Sequence, residues 1–325
     1  MEKAISLAIA LLLSAHGLRK KSLSTSGALT ALVVGFLAMT GGTRVFGVML
    51  IGFYLVGSRA TKYGKQRKAK LEEGYHEGGY RSGWQVLSNS ATAVAAAFAW
   101  NAAFEPTSIH AAVAHAAGLN VGRDVLHLRY PVVYDTSADG WCPLARGVGG
   151  GWSRALVLVG LGCVGRILLM RRRLMQGCRH FACCLGDTLA SELGILSRGR
   201  PRLITTLRAV PPGTNGAMSV GGTVASVVGG ALVGLLAGVT LLVENRGCTA
   251  GILVESVGWG MFGGGFGSLL DSLLGATVQE TRYSQAKGVV VAQGGAVVAG
   301  WNVLSNNEVN VVSSLVCGAL IGWAA

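Results

Sequence analysis

The sequence GDTLASELGILSRGRPRLITTLRAVPPGTNGAMSVGG, residues 186–222, places charged side chains and a rigid turn inside an otherwise apolar chain. It begins with two carboxylates, Asp187 and Glu192, and four arginines follow them. A turn rich in proline and glycine, residues 211–216, then leads into the next apolar segment. A carboxylate is costly in a lipid-soluble environment, so its presence there predicts a functional site. We expect this site to lie where a membrane meets the aqueous phase.

The composition of the whole chain is that of a membrane protein. Of its 325 residues, 51% are hydrophobic and 13% are charged, whereas a soluble domain carries about a quarter charged residues. The net charge is +13, but the lysines and arginines lie in short loops between apolar segments, a pattern that orients helices in a bilayer. A nucleic-acid-binding protein would need a continuous basic face with aromatic residues, which the sequence lacks. The predicted partner is therefore the membrane and not nucleic acid.

The apolar segments predict an all-α fold, a polytopic transmembrane helix bundle with about 8–10 membrane segments. A single integral membrane domain, residues 1–325, is expected to contain all of them, in an endomembrane or organellar envelope. The predicted spans are residues 4–18, 27–57 as two helices broken at 41–44, 84–103, 154–170, 178–197, 219–243, 252–275, 288–304 and 309–325. The segment 178–197 has basic residues at both flanks, which makes it a candidate re-entrant helix.

Two loops differ in their charge. Residues 58–83 are rich in lysine and arginine, and the positive-inside rule predicts that this loop is cytoplasmic. In residues 104–153 acidic and basic side chains nearly balance, as expected of a variable, non-cytoplasmic loop. The seven cysteines include no C-x-x-C pair and mostly lie in or beside apolar segments. Neither a disulfide framework nor a zinc site is expected from this pattern.

The carboxylates of the central segment suggest a metal site. On a helix, Asp187 and Glu192 lie about 140° apart, so both cannot point at one ion. One of them is expected to bind the metal while the other caps, pairs with an arginine or orients a ligand. Magnesium suits such a site, because one or two carboxylates plus substrate phosphates hold it. Asp271, inside a later apolar helix, is either a second ligand or positioning group across the bundle, or an acid that serves helix packing.

The turn at residues 211–216 predicts a phosphate site. Gly213 and Gly216 allow a close backbone approach or a positive φ, and Thr214 or Asn215 is expected to cap a helix that starts near Ala217. Backbone N–H groups at a helix start form an anion site. The alternative is a loop that separates two helices and binds nothing.

Several motifs carry a resemblance to a known family. They are QVLSN (85–89), DTLASELG (187–194), PRLITT (201–206), VPPGTNGAMS (210–219), GSLLDSLLGA (267–276) and VLSNN (303–307) followed by VN (309–310). In these motifs the chain resembles the transmembrane-protein-19 family, whose plant branch includes phytyl-phosphate kinase. The match covers most of the chain except residues 104–153.

This resemblance implies a membrane-embedded kinase. Such an enzyme would convert an isoprenoid phosphate lipid to its diphosphate with Mg²⁺ and a nucleoside triphosphate, CTP or similar. Asp187 would hold the metal with or without Glu192, and Asp271 would position the metal or the acceptor. Arg208 and Arg202 would neutralise the transferred or leaving phosphate, with residues 213–216 as its cradle. Phosphoryl transfer needs positioning and charge neutralisation above all.

Two other functions fit the same residues. A transporter of a small anion or lipid would also use buried acids and glycine-broken helices. A non-catalytic membrane protein would use the acids for assembly. The sequence leaves open whether the chain is an enzyme.

Overall fold

The computed structural model describes residues 2–69, 71, 79–137, 139–145, 148–161 and 181–313, which form a helical bundle. The α-helices are α1 (Glu2–Arg19), α2 (Thr25–Met39), α3 (Val45–Lys62), α4 (Lys65–Lys68), α5 (Gly83–Ser88), α6 (Ala91–Phe104), α7 (Ile109–Ala116), α8 (Trp152–Leu161), α9 (Phe181–Gly194), α10 (Val220–Glu244) and α11 (Gly251–Val278). Residues 306–313 are also helical. The predicted helical fold is confirmed. Parts of three predicted spans, residues 162–170, 178–180 and 314–325, lie outside the described residues.

Two small β-sheets accompany the helices. Strands β1 (Arg202–Leu203) and β2 (Ala217–Met218) pair antiparallel, with Leu203 opposite Ala217. Strands β3 (Thr281–Ser284), β4 (Val289–Val291) and β5 (Ala296–Ala299) form an antiparallel sheet in the order β4-β3-β5. Both sheets lie beside the ends of long helices, because β2 leads into α10 and β3 follows α11.

Two of the described helices, α3 and α10, are long and apolar enough to cross a membrane. Helix α10 has 25 residues, a length of about 37 Å. Its exposed apolar side chains recur every three or four residues along one face, at Val220, Val224, Val228, Leu232, Leu235, Val239 and Val243. The opposite face is buried and rich in glycine and alanine. An apolar outer face with small residues inside is the pattern of a helix in lipid.

Helices α9, α10 and α11 pack backbone against backbone. A Cβ atom on Gly186 of α9 would lie 2.7 Å from the Cα atom of Gly264 of α11, and one on Gly264 would lie 2.8 Å from the Cα atom of Gly230 of α10. Gly260 of α11 meets the backbone of the same Gly230. Without side chains between them the helix axes approach closely, and van der Waals packing of this kind drives association in membranes.

The two ends of the bundle differ. At one end, the Thr43 hydroxyl donates to Glu244 at the end of α10, and the Arg44 amide donates to the same carboxylate at 2.8 Å. Tyr134, from the loop before α8, donates to Glu244 at 3.4 Å. The end of α3 lies at the other end, where Thr61 and the start of α10 line a common cavity. The described parts of loops 58–83 and 104–153 therefore lie at opposite ends of the bundle.

A disulfide bond joins Cys142 to Cys248, and the expectation of no disulfide framework was wrong. Cys142 lies in the loop before α8, and Cys248 lies in the turn between α10 and α11. The two are 106 residues apart, so their spacing in the sequence gave no sign of a pair. The bond ties the loop before α8 to the turn between α10 and α11. Cys183 and Cys184 are buried in α9.

Two predicted spans have a different structure. Residues 288–304 contain β4 and β5 in place of a helix, because β-branched valines favour strands and Gly294 and Gly295 take positive φ values of 74° and 76° between them. Residues 84–103 form two helices, α5 and α6, that are separated at Asn89 and Ser90. The predicted break at residues 41–44 is present between α2 and α3.

Replacing Gly264 with alanine should destabilise the bundle, because the new methyl group would clash with the backbone of Ser226 and Gly230. Overpacking of this kind costs about 1–3 kcal/mol. The matched control is Gly258→Ala on the same helix, where an added Cβ atom meets nothing within 4 Å. Thermal unfolding in detergent should show a lower Tm for Gly264→Ala only, and equal Tm values would contradict the packing described.

Removing either cysteine of the disulfide should lower the stability by about 2–5 kcal/mol, because the unfolded chain loses a cross-link. Cys142→Ser, Cys248→Ser and the double variant should give the same loss of Tm under non-reducing conditions, since one bond is lost in each. Losses that add in the double variant would show that the two cysteines are not bonded.

Candidate functional site

A polar cavity of about 370 Å³ lies at the end of the bundle where α9 ends and α10 begins. It brings together residues that are far apart in sequence, from α3, α5, α9, the turn at 211–216, α11 and the helical segment at 306–313. The predicted site residues among its lining are Asp187, Glu192, Gly213, Thr214, Asn215, Gly216 and Asp271. The central segment and the later acid thus share one cavity.

Asp187 of α9 and Asp271 of α11 form the acidic part of the cavity. Both side chains are half-buried and line the cavity. The Ser268 hydroxyl donates to Asp187 Oδ1 at 3.5 Å, and the Ser313 hydroxyl donates to Asp271 Oδ2 at 2.8 Å. Each carboxylate keeps acceptor capacity beyond its single serine, because an ionised carboxylate accepts about four hydrogen bonds.

Side-chain amides flank Asp271. When the Asn310 side-chain amide is oriented with its NH₂ group toward Asp271, it donates to Asp271 Oδ2 and to Asn306 O, each at 3.2 Å, and its amide oxygen is the atom that lies 3.1 Å from the Asn89 side chain. Gln85 and Asn306 line the same cavity. The motifs QVLSN and VLSNN therefore meet at Asp271, although more than 200 residues separate Asn310 from Asn89.

Glu192 is held by a lysine and does not join the acidic pair. The Nζ atom of Lys68 donates to Glu192 Oε2 at 2.6 Å and to the carbonyl oxygens of Ala60 and Thr61 at 2.9 and 3.3 Å. Only 1% of the Lys68 side chain is exposed, so the ammonium group depends on these three acceptors. Of the two carboxylates proposed as metal ligands, the structure leaves Asp187 available and pairs Glu192 with a cation.

The turn at residues 211–216 is fixed by contacts on both sides. Gly213 and Gly216 have positive φ values of 85° and 72°, and a side chain on Gly216 would clash with α11. The Thr214 amide donates to Pro211 O at 3.3 Å, and the Asn215 amide donates to Thr281 Oγ1 at 3.1 Å. The amides of Thr214 and Asn215 therefore bond within the protein. Of the predicted phosphate cradle, the amides of Gly213 and Gly216 remain for a ligand.

The helix start that follows differs from the prediction. Ala217 lies in β2, and α10 begins at Val220 with Ser219 as its N-cap. The Ser219 hydroxyl accepts from the Gly222 amide at 3.1 Å. Thr214 and Asn215 do not cap the helix, because a strand separates them from it. The start of α10 borders the cavity through Ser219 and Gly222.

The structure does not bring Arg202 or Arg208 to the cavity. Neither contributes to the lining among the described residues, and both are exposed. They lie in a small hairpin in which Arg202 pairs with Ala209, and the Arg202 Nη1 atom donates to Leu207 O at 2.8 Å. Both arginines therefore lie outside the cavity lining that the described residues form.

The arginine that lines the cavity is Arg81. Burial lowers the pKa of its guanidinium below the usual value, while the negative charge of Glu192 raises it. In the sequence, Arg81 and Lys68 are two of the many cations of the basic loop 58–83. The sequence feature that could have marked Arg81 as a site residue is its position four residues before Gln85 of the QVLSN motif. Lys68 has no comparable feature.

The helical bundle, its apolar outer surface and its polar end cavity define a multi-pass integral membrane protein. The chain belongs to the integral membrane protein family DUF92, whose sequence profile matches residues 8–130 and 145–318. It is 30% identical to Protein PGR of Arabidopsis thaliana over 98% of this chain and 94% of that protein. These matches confirm the family resemblance found in the motifs.

Shorter matches link the chain to prokaryotic membrane proteins. It is 37% identical to an uncharacterized membrane protein of Methanocaldococcus jannaschii over 43% of this chain and 46% of that protein. With one of Synechocystis it shares 35% identity over 30% of this chain and 35% of that protein. No solved structure matches the chain.

Replacing Glu192 with glutamine should destabilise the protein by on the order of 3 kcal/mol, because the buried Lys68 ammonium loses its counter-charge. The double variant Lys68→Met/Glu192→Leu should recover much of the lost stability, since it removes both charges. Unfolding midpoints in detergent test this pattern. A double variant that is less stable than Glu192→Gln would contradict the ion pair as the cause.

Proposed function

We propose that the chain is a membrane-embedded phosphotransferase that converts an isoprenoid monophosphate to a diphosphate with a nucleoside triphosphate. The observation that carries the proposal is the meeting of Asp187, Asp271 and the turn at 211–216 in one cavity at the end of an apolar bundle. Phosphoryl transfer requires groups that position phosphates and neutralise their charge. The cavity offers acids for a metal and backbone amides for phosphate.

The donor atoms around the acidic pair suit Mg²⁺. Asp187 and Asp271 would hold the ion, while Ser268 and Asn310 fix the two carboxylates. Magnesium prefers oxygen ligands and usually combines one or two carboxylates with substrate phosphates. Among the described residues no group of three His, Cys, Asp or Glu side chains is placed to hold a metal, so phosphate oxygens and water would complete the shell. When bound, the ion would neutralise charge on the phosphates.

The phosphates of the nucleotide would lie against the turn and the start of α10. The amides of Gly213 and Gly216 lie in the turn, and Ser219 and Gly222 at the start of α10 line the same cavity. Helix N-termini bind phosphate through free N–H groups and the helix dipole. The positive φ at both glycines supports a close approach of backbone to ligand.

The isoprenoid tail would leave the cavity along α11. Leu269 lines the cavity and is 40% exposed, and Leu273, one turn further on the same face, is 44% exposed. Asp271 lies between these two leucines in the sequence. An apolar chain gains about 0.8 kcal/mol for each CH₂ group buried in the bilayer. The lipid tail would thus remain in the membrane while its phosphate reaches the acids.

Replacing Asp187 with asparagine should reduce diphosphate formation by on the order of 10²-fold or more, the scale of losing one group that stabilises transition-state charge. The assay incubates purified protein with labelled nucleoside triphosphate, Mg²⁺ and farnesyl, geranylgeranyl or phytyl phosphate, and measures the diphosphate formed. Asp139→Asn is the matched control, because Asp139 is exposed in the loop before α8, outside the cavity lining.

A folded wild-type protein that forms no diphosphate from any of these lipids would overturn the proposal. Anion uptake into vesicles by the same preparation would then favour the transporter. If the Asp187→Asn variant formed diphosphate at the wild-type rate, the proposed role of Asp187 would be wrong, but the proposed reaction would still be supported.

A further inference from the structure

We infer that Arg81 is the side chain that binds a phosphate group in the cavity. The inference rests on the proposed function, because it names the phosphate-binding residue of the same site. It replaces Arg202 and Arg208, which do not line the cavity among the described residues. The ligand class is a phosphate monoester or diphosphate, from either the nucleotide or the lipid.

Among the described residues, Arg81 forms no ion pair. The negative charge of Glu192 acts on it, but the Oε2 atom of Glu192 is bonded to Lys68 at 2.6 Å. The guanidinium of Arg81 donates to two neutral acceptors, Ser58 Oγ at 3.2 Å and Thr61 Oγ1 at 3.3 Å. In this described part of the site, Lys68 and Arg81 share the charge of Glu192, which favours an anionic ligand beside Arg81.

The backbone of Arg81 is held in place independently of its side chain. Its amide donates to Ser22 O at 3.0 Å, and its carbonyl accepts from the Ser24 amide at 3.0 Å. Gly27, in the first turn of α2, permits this contact, because a side chain there would clash with Arg81 O. The turn between α1 and α2 thus fixes the backbone of Arg81, and Ser58 and Thr61 fix its guanidinium. The N–H groups of the guanidinium are therefore held in one orientation. Such preorganisation suits phosphate, which arginine binds through paired N–H groups.

The remaining charges of the cavity complete a site for a metal-bound phosphate. Asp187 and Asp271 supply negative charge for a divalent cation, and Arg81 supplies positive charge in the same cavity. A phosphate that contacts the metal on one side and Arg81 on the other would neutralise both. An arginine is better suited to this task than a lysine, because its planar fork matches two phosphate oxygens.

Arg81→Gln should weaken phosphate binding about 10- to 100-fold, the scale of a hydrogen bond to a charged group. Calorimetry with Mg²⁺ would compare inorganic pyrophosphate and farnesyl phosphate as ligands of the purified full-length protein. Arg81→Lys should bind with intermediate affinity. The matched control is Arg123→Gln, which removes the same charge from an exposed arginine paired with Asp124 outside the cavity.

Gly27→Ala provides a second variant that keeps the guanidinium but displaces its backbone. It should also weaken binding, because the orientation of the fork is lost, whereas a role for charge alone would leave affinity unchanged. If only one of the two ligands loses affinity in Arg81→Gln, that ligand supplies the phosphate that Arg81 contacts. Unchanged affinity for both ligands in folded Arg81→Gln and Arg81→Lys protein would overturn the inference.

Binding and turnover separate this inference from the kinase proposal. If the wild type binds pyrophosphate through Arg81 but forms no diphosphate, the inference stands and the kinase proposal falls. If diphosphate forms while Arg81→Gln retains wild-type affinities, the kinase proposal stands and Arg81 is not the phosphate ligand.

Discussion

Backbone contact among α9, α10 and α11 is the constraint on which the cavity depends. Lipid gives no hydrophobic advantage to helix association, so the three helices rely on close packing through small residues. Gly186, Gly230 and Gly264 remove the side chains that would hold the helices apart. This approach brings Asp187 of α9 and Asp271 of α11 within range of each other and sets the start of α10 beside them. A wider bundle would leave each acid alone in an apolar environment.

The polar groups at this end of the bundle are distributed in a way that limits the cost of burying charge. Each acid of the pair has its own serine donor, and Lys68 spreads its charge over a carboxylate and two carbonyl oxygens. Arg81 differs, because its acceptors are hydroxyl groups without charge. A buried charge with only neutral acceptors is less well stabilised than a paired one. The site therefore has negative and positive regions that both favour ligands, a cation at one and an anion at the other.

Local patterns in the sequence predicted much of the fold and part of the site. Hydropathy identified most of the helices. The apolar surroundings of Asp187 and Asp271, together with the glycine turn at 211–216, predicted site residues that line one cavity in the structure. The strands in 288–304 were missed because an apolar run interrupted by glycines fits a helix or a strand by hydropathy alone. Arg202 and Arg208 lie near the glycine turn in sequence, but in the described structure they are exposed and do not line the cavity. Lys68 and Glu192 are 124 residues apart, and a local sequence pattern cannot predict a contact between residues so far apart.

The hydrogen bonds that close the cavity have a consequence for biosynthesis. The Asn215 amide donates to Thr281. Asp271 accepts from Ser313 and from Asn310. Asn310 also contacts Asn89, the residue that follows α5. A chain emerging from the ribosome inserts its early helices first, long before residues 281–313 have been synthesised. Nascent protein therefore carries Asp271 in the membrane before Asn310 and Ser313 exist to bond it, and the pocket is completed only after residues 281–313 have been synthesised.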